Sequence, residues 1–472
     1  MKYLNIYNIY LTIFLFFFIF SNIIWVLLDP LCGSFQFISV ISYTDFTIRM
    51  GIDSISFFFL YLTTLLISLS LLFSSLSKTS IEQKKNNIFL IFFIGILLLL
   101  VFYVLDFLLS YISFEAILIP FFIYIGIAGY RKRRIHAAYF FFFYTLIGSF
   151  FTLISIFFLF LQIGTTDIEV LWNVELQSDR SLTLWIAIFI TFSIKVPMFP
   201  FHIWLPEAHV EAPTEGSVLL AGLLLKLGTY GFLRFLFPLF SDINYYYSDI
   251  VIMLASIGIV YASFSTLRQI DIKRIIAYSS IAHMNMCILG LFSYNEIAFV
   301  GSIFLMIGHG VVSGGLFFII GMIYNRFQTK IIHYFSGVIH YMPILSFFFL
   351  LLILGNIGMP GTSNFIGEFL ILCGIVYHQI YFAVFCSIIG IFLCTIYSMW
   401  MYNKIIFLLP KFYYIIVTDL FFFEIIVLLP LIFFMFFFGI FPNCINNYLI
   451  YYTMYYYLDL FGNYPLITFV VH

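Results

Sequence analysis

The sequence predicts an all-α polytopic membrane protein of about thirteen transmembrane helices, and three observations predict it. The apolar runs are continuous, as in Leu11–Phe20 and Ile88–Val104, whereas the strands of a membrane barrel alternate over ~10 residues. Charged residues make up 9% of the 472 positions, against about 25% in a soluble domain, so the chain cannot clothe a water-facing surface. The basic residues that remain gather on alternate loops, as the positive-inside rule requires of a chain threaded back and forth. A net charge of −1 argues against nucleic acid as a partner.

Taken in order, apolar windows place spans at 9–28, 55–76, 87–106, 107–129, 136–162, 183–206, 216–239, 248–267, 274–293, 298–325, 342–373, 377–402 and 418–441. The first reads as a retained helix, because no small-residue cleavage site follows Val26-Leu27-Leu28-Asp29. The segment 446–472 is too broken by Asn, Asp, Gly and Pro to span, and its tyrosines suit the interface. Four units follow: 1–86 with the N-terminal helices, 87–239 and 240–402 as two repeats, and 403–472 with a last helix and an interfacial tail.

The twenty Lys and Arg residues test this threading. Fifteen fall at the N-terminus or on loops of its side: Lys2, Lys78, Lys84, Lys85, Arg131, Lys132, Arg133, Arg134, Arg268, Lys273, Arg274, Arg326, Lys330, Lys404 and Lys411. The opposite loops receive Arg49, Arg180 and Arg234, together with the acids Asp45, Asp53, Asp167, Glu169, Glu175, Asp179 and Asp242. The N-terminus is therefore expected on the cytoplasmic or matrix face.

Six ionisable residues stand out within the spans: Glu115, Lys195, Lys226, His283, His309 and Glu368. A charge at the bilayer centre costs about 2.5–3.5 kcal/mol on insertion scales, so such groups pair structurally or mark an ion pathway. Acids, amines and imidazoles spread along one chain fit a proton relay better than isolated pairs. Two of them lie beside helix breakers. Lys195 precedes Val196-Pro197-Met198-Phe199-Pro200, and Glu368 follows Gly358-Met359-Pro360-Gly361. Each break frees backbone groups that only water or side chains can satisfy, which implies local hydration. The steps Glu115 to His283 and Lys195 to Glu368 both cross five spans, an odd number. That predicts two inverted five-helix repeats with broken helices near Pro197/Pro200 and Pro360/Gly361.

Other chemistry finds little support. The six cysteines contain no C-x-x-C pair, so neither zinc nor an iron–sulfur cluster is expected, and they read as small core residues. His202 and His209 are seven apart, too far to share one ion readily, and suit a polar vestibule or a subunit contact; no metal site is expected. Glu424, near the start of the last span, reads as structural, and the Asp271, Lys273 and Arg274 cluster as an orienting loop that pairs locally. No G-x-x-x-x-G-K loop for nucleotide is present. The excess of Phe (66) and Tyr (34) is explained by AT-rich codons, a habit common in organellar genomes.

Several long motifs resemble a known family. They are Lys195-Val196-Pro197-Met198, then His202-Ile203-Trp204-Leu205-Pro206-Glu207-Ala208-His209-Val210-Glu211-Ala212-Pro213 and Leu224-Leu225-Lys226-Leu227-Gly228-Thr229-Tyr230-Gly231. The runs Asp271–Met284, Phe114–Pro120, His309-Gly310 and Asn364–Phe369 match as well. Over about 51–440 the chain resembles the antiporter-like membrane-arm subunits of NADH:ubiquinone oxidoreductase (respiratory complex I), and within them the subunit-4 type, since the sister subunits carry lysine where this chain has Glu368.

The resemblance implies a proton-translocating subunit in the mitochondrial inner membrane, with its N-terminus in the matrix. It implies Glu115 and Lys195 as a coupled ion pair, Lys226 as the central relay lysine, His309 and His283 as a continuation, and Glu368 as the terminal acid. No redox cofactor belongs to this chain on that reading; NADH, flavin, iron–sulfur clusters and ubiquinone are handled by other subunits. The implied partners are neighbouring antiporter-like subunits and membrane lipids, cardiolipin among them. The alternatives are a bacterial plasma membrane for the location and a monovalent cation/proton antiporter for the function. The family usually has two helices before the Gly51-Ile52-Asp53 segment; only one fits here.

Overall fold

The structure is a computed structural model describing residues 2–43, 46–76, 80–129, 132–174, 178–409 and 418–450. Asp45, Lys78, Arg131, Glu175, Lys411 and the tail from 451 onward lie outside the described residues.

Helices form where the apolar windows predict them. Helix α1 (Lys2–Leu27) is followed by a hairpin and then by α2 (Ser54–Leu76), α3 (Ile81–Tyr103), α4 (Phe107–Ala128) and α5 (Arg134–Ile163). A short α6 (Ile168–Trp172) precedes α7 (Ser178–Lys195) and α8 (Trp204–Glu211). Next come α9 (Thr214–Leu239), α10 (Ser241–Leu267), α11 (Ile272–Leu291), α12 (Glu296–Phe327), α13 (Pro343–Ile357), α14 (Ser363–Tyr377), α15 (Tyr381–Ile406) and α16 (Phe422–Ile440). Polar residues set several starts: Ser80 accepts from Gln83 N–H, Asp106 from Leu109 N–H and Asn295 from Ile297 N–H.

Nine of the described helices are long and apolar enough by themselves to cross a membrane, and three shorter apolar helices, Phe18–Leu27, Pro343–Ile357 and Ser363–Tyr377, accompany them. They nest in two layers. The apolar windows of α9 and α12 are wholly buried and that of α2 nearly so, whereas α5 turns Ile147, Phe150, Phe157 and Leu161 outward. Helices α9 and α12 approach closely because glycines meet there: a Cβ added to Gly310 would stand 3.2 Å from the Gly222 carbonyl oxygen.

The loops sort into two ends that pack within themselves. At one end Leu105 N–H donates to Arg49 O, and Arg49 pairs with Asp167 at 3.1 Å and with Glu169 at 3.2 Å. At the other, Ile272 N–H donates to Lys330 O and Arg274 pairs with Glu207 at 2.7 Å. Arg326 pairs there with Glu424, so that acid is a structural partner.

The all-α expectation needs one correction. Gln36–Tyr43 and Phe46–Ile52 pair as an antiparallel hairpin, Ser39 opposite Met50 and Ile41 opposite Ile48. The second strand carries the strand pattern in its sequence, Phe46, Ile48, Met50 and Ile52 alternating with Thr47, Arg49 and Gly51, but it is only seven residues long between two much longer apolar windows. A second correction concerns Arg234 and Asp53, assigned above to exposed loops. Both are 2% exposed and form a bidentate pair, Nη1 to Oδ2 and Nη2 to Oδ1 at 2.8 Å each, with Arg234 Nε donating to Tyr230 OH. A guanidinium between the rings of Phe35, Trp172 and Tyr230 is held by aromatic faces as well as by its acid.

Removing one partner of this pair strands a buried charge, at a cost of about 3–5 kcal/mol. Asp53→Asn or Arg234→Leu alone is expected to lower the thermal unfolding midpoint of the detergent-solubilised protein. The combined Asp53→Asn, Arg234→Leu variant recovers part of the loss.

Candidate functional site

Two groups of buried ionisable side chains lie on either side of α9. The first is built at the break between α7 and α8. Lys195 is the last residue of α7, where Pro197 and Pro200 cannot donate to the preceding turn. The freed carbonyls are taken by side chains: Trp204 Nε1 donates to Ile194 O at 2.9 Å, and Asn285 Nδ2 to Pro197 O at 3.4 Å. Fixed in this way, Lys195 Nζ donates to Glu115 Oε1 at 3.1 Å and sits 3.0 Å from the centre of the Phe114 ring. Lys195 is 6% exposed and Glu115 19%, so the acid is the outer member. The lysine opens on a cavity lined by Ser110, Tyr111, Thr152, Leu227 and Tyr230.

The second group runs through the interior. Within α9 the residues Leu220–Leu224 and Phe232–Leu236 form π-helical turns, which widen the helix and misalign its hydrogen-bond ladder. Lys226 lies between them, completely buried, and Nζ donates to Ala221 O five residues back. Its other neighbour is His309 Nδ1 on α12, at 2.8 Å. The His309 ring centre is 5.4 Å from that of His283 on α11, and His283 Nδ1 is 3.2 Å from Glu368 Oε1 on α14. On the far side of His283, Nε2 faces Cys394 Sγ at 4.0 Å, and Tyr397 OH donates to that sulfur.

The structure therefore brings Lys226, His309, His283 and Glu368 into one line and Glu115 with Lys195 into another. Leu227 joins the two, since it lines the Lys195 cavity and follows Lys226 in the chain. Glu368 is held by a second break. Gly358 ends α13 in the left-handed region (φ 76°), and a Cβ there would stand 2.7 Å from Glu368 Oε2.

Sequence reasoning missed further buried charges. Lys273, read as part of an orienting loop, is fully buried and donates to Ala212 O at 2.9 Å; Lys330 is 1% exposed and donates to Val210 O. Glu215 is 4% exposed and accepts from Tyr124 OH and Thr214 Oγ1. The available signal was Ala212-Pro213, which ends one helix inside an apolar region and leaves carbonyls that demand cations.

Residues 104–394 match the family model for the transmembrane region of NADH:quinone oxidoreductases and Mrp antiporters. The chain is 49% identical over 395 residues to NADH-ubiquinone oxidoreductase chain 4 of Acanthamoeba castellanii, covering 83% of this chain and 79% of that one. It is 48% identical over 393 residues to the chain of the same name from Marchantia polymorpha, with the same coverage. Among solved structures it is similar to a chain of respiratory complex I from Thermus thermophilus with bound NADH, at 26% identity and TM-score 0.84, covering 96% of this chain and 99% of that one. A chain of the Mrp complex from Dietzia shares the fold at 14% identity and TM-score 0.83, covering 97% and 92%.

The Gly358 contact gives a test of the second group's geometry. Gly358→Ala adds about 1–2 kcal/mol of left-handed backbone strain and presses on the Glu368 carboxylate. The variant is expected to unfold at lower temperature than the parent. Gly126→Ala, where a Cβ would meet nothing within 4 Å, leaves the midpoint unchanged or raised.

Proposed function

The chain belongs to the NADH:quinone oxidoreductase/Mrp antiporter membrane family, and from that premise we propose that its buried Glu, Lys and His side chains carry protons across the bilayer. It is a multi-pass, proton-translocating membrane-arm subunit of NADH:ubiquinone oxidoreductase, and its partners are other subunits of that complex. The observation that supports the residue assignment best is the buried line Lys226, His309, His283 and Glu368, paired at its two ends and with the two histidine ring centres 5.4 Å apart between them.

In this reading Glu115 and Lys195 are a switchable ion pair. A shift of Glu115 toward or away from Lys195 changes how firmly the lysine holds its proton, because a nearby carboxylate favours the charged amine and burial disfavours it. The altered charge on Lys195 then acts through α9 on Lys226, and the proton moves along the histidines to Glu368. Moving a charge against the membrane potential takes about 2.3 kcal/mol per 100 mV, which must come from outside the chain. The source is electron transfer from NADH to ubiquinone, carried by flavin and iron–sulfur clusters in other subunits, with no redox site in this one.

The same proposal includes the division into repeats at 87–239 and 240–402 and the count of thirteen spans, which adds α1, the α7–α8 pair, α11 and the α13–α14 pair to the nine. The two breaks, each beside a relay residue, support it. It also includes the mitochondrial inner membrane, an N-terminus in the matrix, antiporter-like neighbours and bound lipid such as cardiolipin. A free-standing cation/proton antiporter is less favoured, since identity is 49% to a complex I chain and 14% to the Mrp structure.

Lys226→Ala, Lys195→Ala and Glu115→Ala are each expected to cut redox-linked proton pumping in native membranes at least tenfold, with the complex still assembled. Full pumping in all three overturns the relay. A purified native complex that fails to oxidise NADH favours the antiporter.

A further inference from the structure

The sequence assigns the cysteines to core packing, and one of them departs from that reading. Cys394 lies on α15, 5% exposed, beside the far end of the buried line. Its sulfur accepts from Tyr397 OH at 3.0 Å and from Asn356 Nδ2 at 3.7 Å. The thiol also donates to Asn356 O at 3.5 Å and stands 4.0 Å from His283 Nε2. A small apolar filler would not be ringed by four polar atoms.

Both residues that Cys394 joins are tied to Glu368. His283 turns Nδ1 to Glu368 Oε1 at 3.2 Å, and Cys394 is the partner given to its other ring nitrogen. Asn356 lies in the last turn of α13, two residues before Gly358, the position packed against Glu368 Oε2. A helix end leaves carbonyls open. Gly358 and Met359 N–H return to Gly355 and Leu354, and the thiol hydrogen takes Asn356 O.

A histidine that exchanges protons with a carboxylate passes through three forms, with hydrogen on both nitrogens, on Nε2 alone or on Nδ1 alone. Nε2 needs an acceptor in the first two and a donor in the third. A thiol answers all three by rotation about Cβ–Sγ. Its lone pair faces Nε2–H while S–H goes to Asn356 O, or S–H turns to the bare Nε2, with Tyr397 OH holding the sulfur in place. A hydroxyl is not free to turn in this way. On the same helix Ser387 and Thr395 donate to the carbonyl three residues back and Ser398 to the one four back, and a serine at 394 would do the same. The thiol is a weaker donor and escapes that lock.

Building on the relay reading, we propose that Cys394 is a positioning residue whose thiol keeps the His283 imidazole directed at Glu368 in every protonation form. Sulfur keeps its hydrogen and its electrons throughout. The transferred proton leaves Nδ1 of His283 for Oε1 of Glu368, and only the S–H direction changes at Cys394.

The test uses the intact complex in native membranes, with Cys394→Ser and Cys394→Ala. Both are expected to slow redox-linked proton pumping at least threefold, serine giving no rescue. The infrared difference spectrum between the NADH-reduced and oxidised complex is expected to contain an S–H stretching change that both variants lose. Cys394→Ser alters the volume least, so it reports even where Cys394→Ala does not assemble. Full pumping in Cys394→Ser overturns the proposal. So does slowed pumping without a lost S–H signal, which assigns Cys394 to packing alone. Lys226→Ala is run in parallel: if it abolishes pumping while Cys394→Ser pumps fully, the positioning role fails and the relay stands. If Lys226→Ala pumps fully, the relay has failed and the positioning role with it.

Discussion

Lys226 and His309 meet at 2.8 Å across α9 and α12, two helices with no outward face, and the interior chemistry hangs on that contact. Neither group could be kept there alone. A lysine in an apolar interior needs acceptors, and α9 provides one by opening into a π-turn that leaves Ala221 O within reach. The histidine reaches the lysine because Gly222 and Gly310 let the two backbones close up. Larger side chains at those positions would widen the gap beyond hydrogen-bonding range.

The same demand for partners shapes the broken helices. With little water available, a backbone group freed by proline must be met by a side chain, and here it is. Trp204 and Asn285 take carbonyls at the α7–α8 break, while Lys273 and Lys330 take those at the end of α8. The breaks are thus rigid interruptions with assigned donors, and Lys195 and Glu368 inherit defined positions from them. At the opposite end of the bundle the Asp53–Arg234 pair and the hairpin close over α9, Trp172 donating to Arg234 O.

Much of this was legible in the residues. Continuous apolar runs locate the long helices, although those starting at Lys2 and Ser241 begin well before their predicted windows, and each of the six ionisable groups noticed in the spans lies in one of the two groups. The hairpin was hidden because its alternating strand, with Thr47, Arg49 and Gly51 between apolar residues, is short and lies between two long apolar windows that dominate the pattern. Arg234 and Lys273 were misread for a related reason: near a span's end, sequence position does not say whether a cation points to water or back into the bundle. Only the partner decides, and Asp53 lies 181 residues from Arg234.

The gap between the two groups has its own logic. Glu115 is partly exposed at the edge of the bundle, whereas the line from Lys226 to Glu368 is sealed. A continuous proton wire between them is not needed for coupling. Two unit charges about 10 Å apart interact by roughly 1.7 kcal/mol at an effective dielectric constant of 20, or more than tenfold in proton occupancy. In the proposed relay, a charge moved at the edge is therefore felt in the sealed line while the protons of the two groups stay separate. Physical separation with electrostatic contact is what a coupling device requires, because a wire joining the groups would let the driving charge leak into the path it drives.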